Sequence, residues 1–206
     1  MPDDDRSILD AAEFLATYRE GVLFADGTPT PRRFVSDPAT GRLLIPIPPA
    51  IADAGEHILQ VPEEGDDAMA LMVSIEPIDP DAVPACDRYL AYHGPADDAR
   101  WIACDIDAAK WGGVVLDGPV LQRPNPLAEA EPRLCKHANA DQDRLVAALR
   151  RHRQLDVPAP VCVGVDDGGM HVRARFGVVR VRFPHVTTDE RDAARAIDEF
   201  LNERAA

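Results

Sequence analysis

The sequence predicts an α+β fold in two parts: an antiparallel β-barrel over residues 1–123, then a small α+β domain over residues 124–206 with a three-stranded antiparallel sheet and helices. Three observations predict it. Residues 20–118 are short apolar runs separated by Gly-, Pro- and Asp-rich turns, the pattern of a small all-β unit. Residues 127–206 instead carry helix-period stripes and capping signals around a strand–turn–strand pattern. The charge divides too. Residues 1–135 hold 25 acidic and 10 basic residues, a net of −15, whereas residues 136–206 hold 11 and 12, a net of +1.

Taken in order, Ile8, Ala11, Leu15 and Tyr18 recur at helical spacing and predict a helix over residues 7–20, capped by Ser7 and ended at Gly21. Val22–Ala25 meets an Asp26–Gly27 turn, Arg32–Val35 follows Thr28–Pro31, and Arg42–Ile47 follows the Asp37–Gly41 turn. These are three strands of a meander, the third kept short or at an edge by Pro46, Pro48 and Pro49. Residues 50–60 form a short helix or connector, and residues 63–67 an acidic loop. Further strands are predicted at Ala68–Ile75, at Arg88–Gly94 where Tyr alternates with Leu and Ala, at Trp101–Ile106 and at Lys110–Leu116. Three prolines within residues 119–126 mark a linker. Helices follow at 127–138 and 140–153, the second capped by Asn139 with Gln142 three residues on. Val161–Val165, His171–Arg175 and Val179–Phe183 are the strands of the second sheet. Thr187-x-x-Glu190 is a capping box for a last helix whose stripe is Ala193, Ala194, Ile197, Phe200 and Leu201.

A net charge of −14 leaves no basic surface for general nucleic-acid or anionic-lipid binding. No run of about 18 apolar residues could span a bilayer. The acidic start Met1–Asp5 lacks the basic and apolar regions of a secretory signal. The expectation is a cytoplasmic protein with no nucleic-acid or membrane partner, its Cys86, Cys104, Cys135 and Cys162 reduced. There is no CxxC, no dinucleotide fingerprint, no phosphate loop, no GxSxG elbow and no HExxH helix, so no catalytic residue or metal site is assigned; Cys135-Lys136-His137 alone is a weak half-site. Two constellations stand out. His137 and Asp141 meet at i, i+4 if one helix runs through both; if Asn139 caps a new helix, Asn139 and Asp141 are ordinary N-terminal helix residues. Strand alternation places His171, Arg173, Arg175, Arg180 and Arg182 on one sheet face, which is solvated, docked on the acidic first part, or anion-binding.

Asn125-Pro126-Leu127-Ala128-Glu129-Ala130-Glu131-Pro132, followed by His137-x-Asn139-x-Asp141, Asp166-Asp167-Gly168-Gly169-Met170 and Val181-Arg182-Phe183-Pro184, resembles the C-terminal domain of haem-utilisation proteins of the HugZ-like type. There a pyridoxamine 5'-phosphate oxidase-like split barrel precedes a domain of unknown function. The first part matches by pattern, at Gly21–Ala25, Thr30–Pro31, Val73 and Trp111-Gly112-Gly113. The resemblance implies a split, FMN-binding-like β-barrel and a homodimer formed through it. It implies haem or FMN held near the dimer interface, with oxidoreductase chemistry in the family. The positions it points to as cofactor-binding are His137, Asp141, Arg32, Arg33 and Trp111. The chain departs from the pattern in three places. Ile47–Gly55 has Pro and Ala where the family's S-x-L-x-x-H-x-x-N stretch carries its donors; Gln142 stands for the last His of H-M-N-x-D-H; and no histidine follows His185. These departures support an equal alternative, a non-catalytic member that binds a protein partner or small ligand without haem or FMN.

Overall fold

The computed structural model describes residues 3–63, 65, 67–96 and 100–202. The chain divides into two compact units, one ending at Pro124 and the other beginning at Asn125. The first unit is a curled antiparallel half-barrel. Helix α1 (Asp3–Thr17) precedes strands β1 (Glu20–Ala25), β2 (Thr28–Arg33), β3 (Val35–Ser36) and β4 (Leu43–Ile47). Helix α2 (Pro49–Ala52), strands β5 (His57–Val61) and β6 (Met69–Ile78), helix α3 (Cys86–His93), and strands β7 (Arg100–Trp111) and β8 (Val114–Asp117) complete it. The strand order is β2-β1-β5-β6-β7-β4-β3, with β8 also on β7.

The twelve-residue strand β7 is the hub. One edge pairs with β6 along Ala70–Ile78, and the other pairs with β4 over Arg100–Cys104 and with β8 over Ala108–Trp111. Alternate residues of β1, β4, β5, β6 and β7 point inward. Leu23, Ile45, Leu59, Leu71, Ile102 and Ile106 are buried there, and Ala11 and Leu15 of α1 cover them. Asp26 and Gly27 both have positive φ, 47° and 78°, the geometry of a tight hairpin turn. Gly21 serves a different need. It does not end the helix, as the sequence predicts, but lies in β1, where a Cβ would come within 2.2 Å of the Gln60 carbonyl oxygen of β5.

Several boundaries move from their sequence expectations. Helix α1 begins at Asp3, so Ser7 is inside it and does not cap it. The stretch predicted as a strand at 88–94 is helix through His93, with Gly94 ending it: Cys86, Tyr89 and Tyr92 recur every three residues and are buried, while Leu90 is 57% exposed. The strand predicted at 101–106 runs on to Trp111, because no turn residue interrupts Asp107-Ala108-Ala109; the strand predicted at 110–116 is instead divided by the Gly112–Gly113 turn between the end of β7 and β8. The predicted connector at 50–60 resolves into α2 and β5.

The second unit comprises α4 (Glu131–Ala138), α5 (Gln142–Arg153), strands β9 (Val161–Asp166), β10 (Gly169–Ala174) and β11 (Gly177–Arg182), and α6 (Glu190–Asn202). Its sheet runs β11-β10-β9, all antiparallel. Leu134, Leu145, Leu149, Met170, Val172, Val181, Ala193 and Ile197 form its core between helices and sheet. Both predicted caps shift by two residues. Asp141, not Asn139, caps α5 by accepting from the Arg144 N–H at 3.1 Å. Asp189, not Thr187, accepts from the N–H groups of Arg191 and Asp192 at the start of α6. Thr187 is buried instead, its own N–H donating to the Asp167 carbonyl at 2.7 Å.

Candidate functional site

The sequence-predicted residues fall in separate places. His137, at the end of α4, places its Nε2 3.0 Å from Asp198 Oδ1 of α6, both side chains more than two-fifths exposed. Asp141 is the α5 cap just described. The neighbouring residues of the same motif satisfy the free edge of β9. Asn139 donates to the Cys162 carbonyl and accepts from the Cys162 N–H, each at 2.8 Å. Buried Glu131 accepts from the Val165 N–H at 3.0 Å, and Asn125 donates to the Val165 carbonyl at 2.9 Å. The residues that carry the family resemblance thus seal a sheet edge and start a helix. Trp111, at the end of β7, donates through Nε1 to the Asp67 carbonyl at 3.2 Å and packs on Phe14 of α1, ring centroids 4.9 Å apart. Among the described residues, no group of three or more His, Cys, Asp or Glu is placed to hold a metal ion.

Arg32 and Arg33 end β2, opposite Gly21 and Glu20 of β1. Arg33 lies 3.7 Å from Glu20 in an exposed pair of little energetic weight. Arg32 is different. Its Nε is buried without a hydrogen-bond partner, and no carboxylate among the described residues pairs with it. Burial pulls its guanidinium below the ordinary pKa, and Tyr89 acts in the opposite direction. Arg42 also has a buried, unpaired Nε, but its Nη2 lies 2.8 Å from Glu76 and 2.9 Å from Asp105, so its charge is answered.

Helix α3 supplies the surroundings of Arg32. Burial raises the Tyr89 hydroxyl, and the Arg33 and Arg32 charges pull it back. The Tyr89 ring stands edge-on to Trp101 of β7, centroids 5.3 Å apart, and lies 4.8 Å from the His93 ring. Arg88 donates to the Tyr92 hydroxyl at 3.2 Å; Arg88 and Arg19 both lie over the Tyr92 ring, at 5.4 and 5.9 Å. His93 meets the Phe34 carbonyl at 3.0 Å, and burial lowers its pKa to about 4. Four of the nine basic residues in 1–124, a stretch with 23 acidic ones, therefore gather around two tyrosines, a tryptophan and a neutral histidine. Sequence reasoning found Arg32 and Arg33 and missed the rest. The signal was the i, i+4 pairs Arg88/Tyr92 and Tyr89/His93, obscured by reading the stretch as a strand.

Two other places hold internal carboxylates, the segment that departs from the family's donor stretch and the arginine-bearing sheet face. After α2, the N–H groups of Gly55 and Glu56 donate to the Asp26 carboxylate at 3.0–3.2 Å. On the second sheet, the face expected to be solvated, docked or anion-binding is closed at its centre. Arg180 is buried and forks onto Asp166 at 2.7 and 2.8 Å, while its Nη1 donates to Nε2 of buried His171 at 3.1 Å. Alternation places His171, Arg173, Arg180 and Arg182 on one face, whereas Arg175 lies in the hairpin turn beyond β10; it did not show that Asp166, at the end of β9, is positioned to neutralise Arg180.

The sequence matches no protein family and no curated protein. Among solved structures, the chain is similar to a protein of unknown function from Agrobacterium tumefaciens, with 17% identity, a TM-score of 0.72, and coverage of 98% of this chain and 97% of that one. It is also similar to a haem-binding protein from Mycobacterium smegmatis, with 18% identity, a TM-score of 0.42, and coverage of 94% and 95%. The first likeness extends over nearly the whole of both chains and shows a shared fold.

Proposed function

We propose that the protein binds a planar ligand carrying carboxylate or phosphate groups, haem or FMN by the family resemblance, at the corner of β2 and α3, as a homodimer built through the barrel. Arg32 carries the reading. The guanidinium is partly desolvated and carries no carboxylate among the described residues, so an anion reaching its accessible N–H groups gains charge-assisted hydrogen bonds there. Arg33 adds a second cation on the same strand end, and half-buried Trp101, braced edge-on by buried Tyr89, adds aromatic surface for a flat ring system. The strongly acidic composition around this corner makes its arginines the place where an anion is favoured in the first unit. The homodimer is supported by the outward face of β6–β8, where Met72 is 50% and Val115 74% exposed, apolar surface that a second copy would cover.

A second reading, a family member that takes neither haem nor FMN, is favoured by Asp26. Its carboxylate occupies the Gly55 and Glu56 N–H groups, in the segment where the family resemblance places phosphate donors. Separate titrations of haem and FMN into the purified protein distinguish the two. A Soret shift or quenched flavin fluorescence that saturates at one ligand per chain supports the first; no uptake of either leaves the second. Sedimentation velocity is expected to give a dimer, and a monomer across the accessible concentration range contradicts that part.

A further inference from the structure

The two sulfurs of Cys135 in α4 and Cys162 in β9 lie 4.0 Å apart, the Cys162 thiol donating toward Cys135 Sγ. Neither cysteine is in a disulfide. The pair is held by more than packing. Asn139, one turn beyond Cys135, clamps both backbone groups of Cys162, so helix end and strand keep one register. The two cysteines also differ in access: Cys162 is 2% exposed in the core, whereas Cys135 is half-buried at its rim. Cys135 is the sulfur a peroxide reaches and Cys162 lies buried 4.0 Å behind it, which assigns Cys135 as the attacking sulfur and Cys162 as the resolving one. Burial pushes the Cys86 and Cys104 thiols up to about 11 and about 12, and the hydrogen bond to Cys135, with burial, raises Cys162 as well, so none of these three readily supplies the attacking thiolate.

We propose that Cys135 and Cys162 form a peroxide-responsive dithiol, an oxidation site within the second unit. The Cys135 thiolate attacks one oxygen of a hydroperoxide; the O–O bond breaks, a sulfenic acid forms, and the other oxygen leaves as water or an alcohol. Cys162 sulfur then attacks the sulfenic sulfur. The S–O bond breaks, and the departing hydroxide takes the Cys162 proton and leaves as water. Two thiols lose two electrons and the peroxide gains them. Forming a disulfide of about 2.05 Å brings the two sulfurs about 2 Å closer than they stand in the reduced pair.

The test is exposure of the full chain to limiting hydrogen peroxide, then alkylation of remaining thiols and peptide mapping without reductant. The expected product is a loss of about 2 Da per chain, with Cys135 and Cys162 in one cross-linked peptide that dithiothreitol releases. Cys162→Ala is expected to accumulate a dimedone-reactive sulfenic acid at Cys135, and Cys135→Ser to give neither product. The proposal is overturned if wild-type Cys135 stays alkylatable under peroxide that oxidises free cysteine. Accumulation of sulfinic acid at Cys135, or cross-links formed only between chains, would equally overturn it. The wild-type map decides the matter even if a variant does not fold.

Discussion

The His93 imidazole, 3.0 Å from the Phe34 carbonyl and tilted against the Tyr89 ring, is held neutral chiefly because burial disfavours its charged form. Its pKa is about 4 in the fold, against about 6.5 for an unperturbed histidine. As pH falls between those values, the unfolded chain takes up a proton that the folded chain does not, so stability declines across that window and is unaffected above it. The loss is about 2–3 kcal/mol after allowing for the ring's partial exposure. His93→Gln, which keeps a donor for Phe34, is expected to flatten this decline in urea unfolding measured from pH 7 to pH 4. Equal slopes for the two proteins would contradict it. Residue-scale legibility was uneven. Asp26–Gly27 was readable because a turn is a local property of two side chains. Asn139 was read as a helix cap, yet the strand edge it clamps lies 23 residues away, and no local pattern reports that contact.

At the scale of elements, α3 decides whether a site exists. Tyr89, Tyr92 and His93 fit alternation and helical spacing almost equally over so short a stretch, and tyrosine favours strands. Packing settles it: in the helix Tyr92 is 2% exposed and Leu90 57%, whereas in a strand they would share a face. Leu90→Arg is therefore expected to change stability by no more than about 0.5 kcal/mol, while Tyr92→Ala costs about 3–5 kcal/mol as an aromatic truncation in the core. Similar losses for the two in guanidinium unfolding would argue for a strand. The same element explains why the candidate site was only half legible. Arg32 and Arg33 announce themselves as a pair, but Arg19 and Arg88 reach Tyr92 from β1's approach and from α3, which only the folded barrel brings together.

On the scale of the molecule, the two hydrophobic cores have no member in common. One draws on residues between Ala11 and Leu121, the other on residues between Leu127 and Leu201. Residues 125–206 expressed alone are therefore expected to unfold cooperatively with both helix and sheet signals, since their core and the β9 edge contacts of Asn125, Glu131 and Asn139 are self-contained. A gradual, non-cooperative melt would contradict it. The alternation of apolar runs with turns made the α+β class legible early, because layer architecture follows from periodicity. The balance of charge was legible too: residues 125–206 carry 13 acidic and 13 basic residues, so the net −14 belongs to the first unit. Against that acidity the arginine corner of β2 and α3 is the feature that stands out.

The central claim is that an anionic planar ligand sits at that corner and not at the His137 motif. Equilibrium titration of haem and FMN into Arg32→Ala and His137→Ala, beside the wild type, tests it most directly. The account predicts at least about tenfold weaker binding for Arg32→Ala, the loss of one charge-assisted contact. It predicts wild-type affinity for His137→Ala, whose ring only joins α4 to Asp198 of α6. Binding that survives Arg32→Ala and collapses in His137→Ala would contradict it.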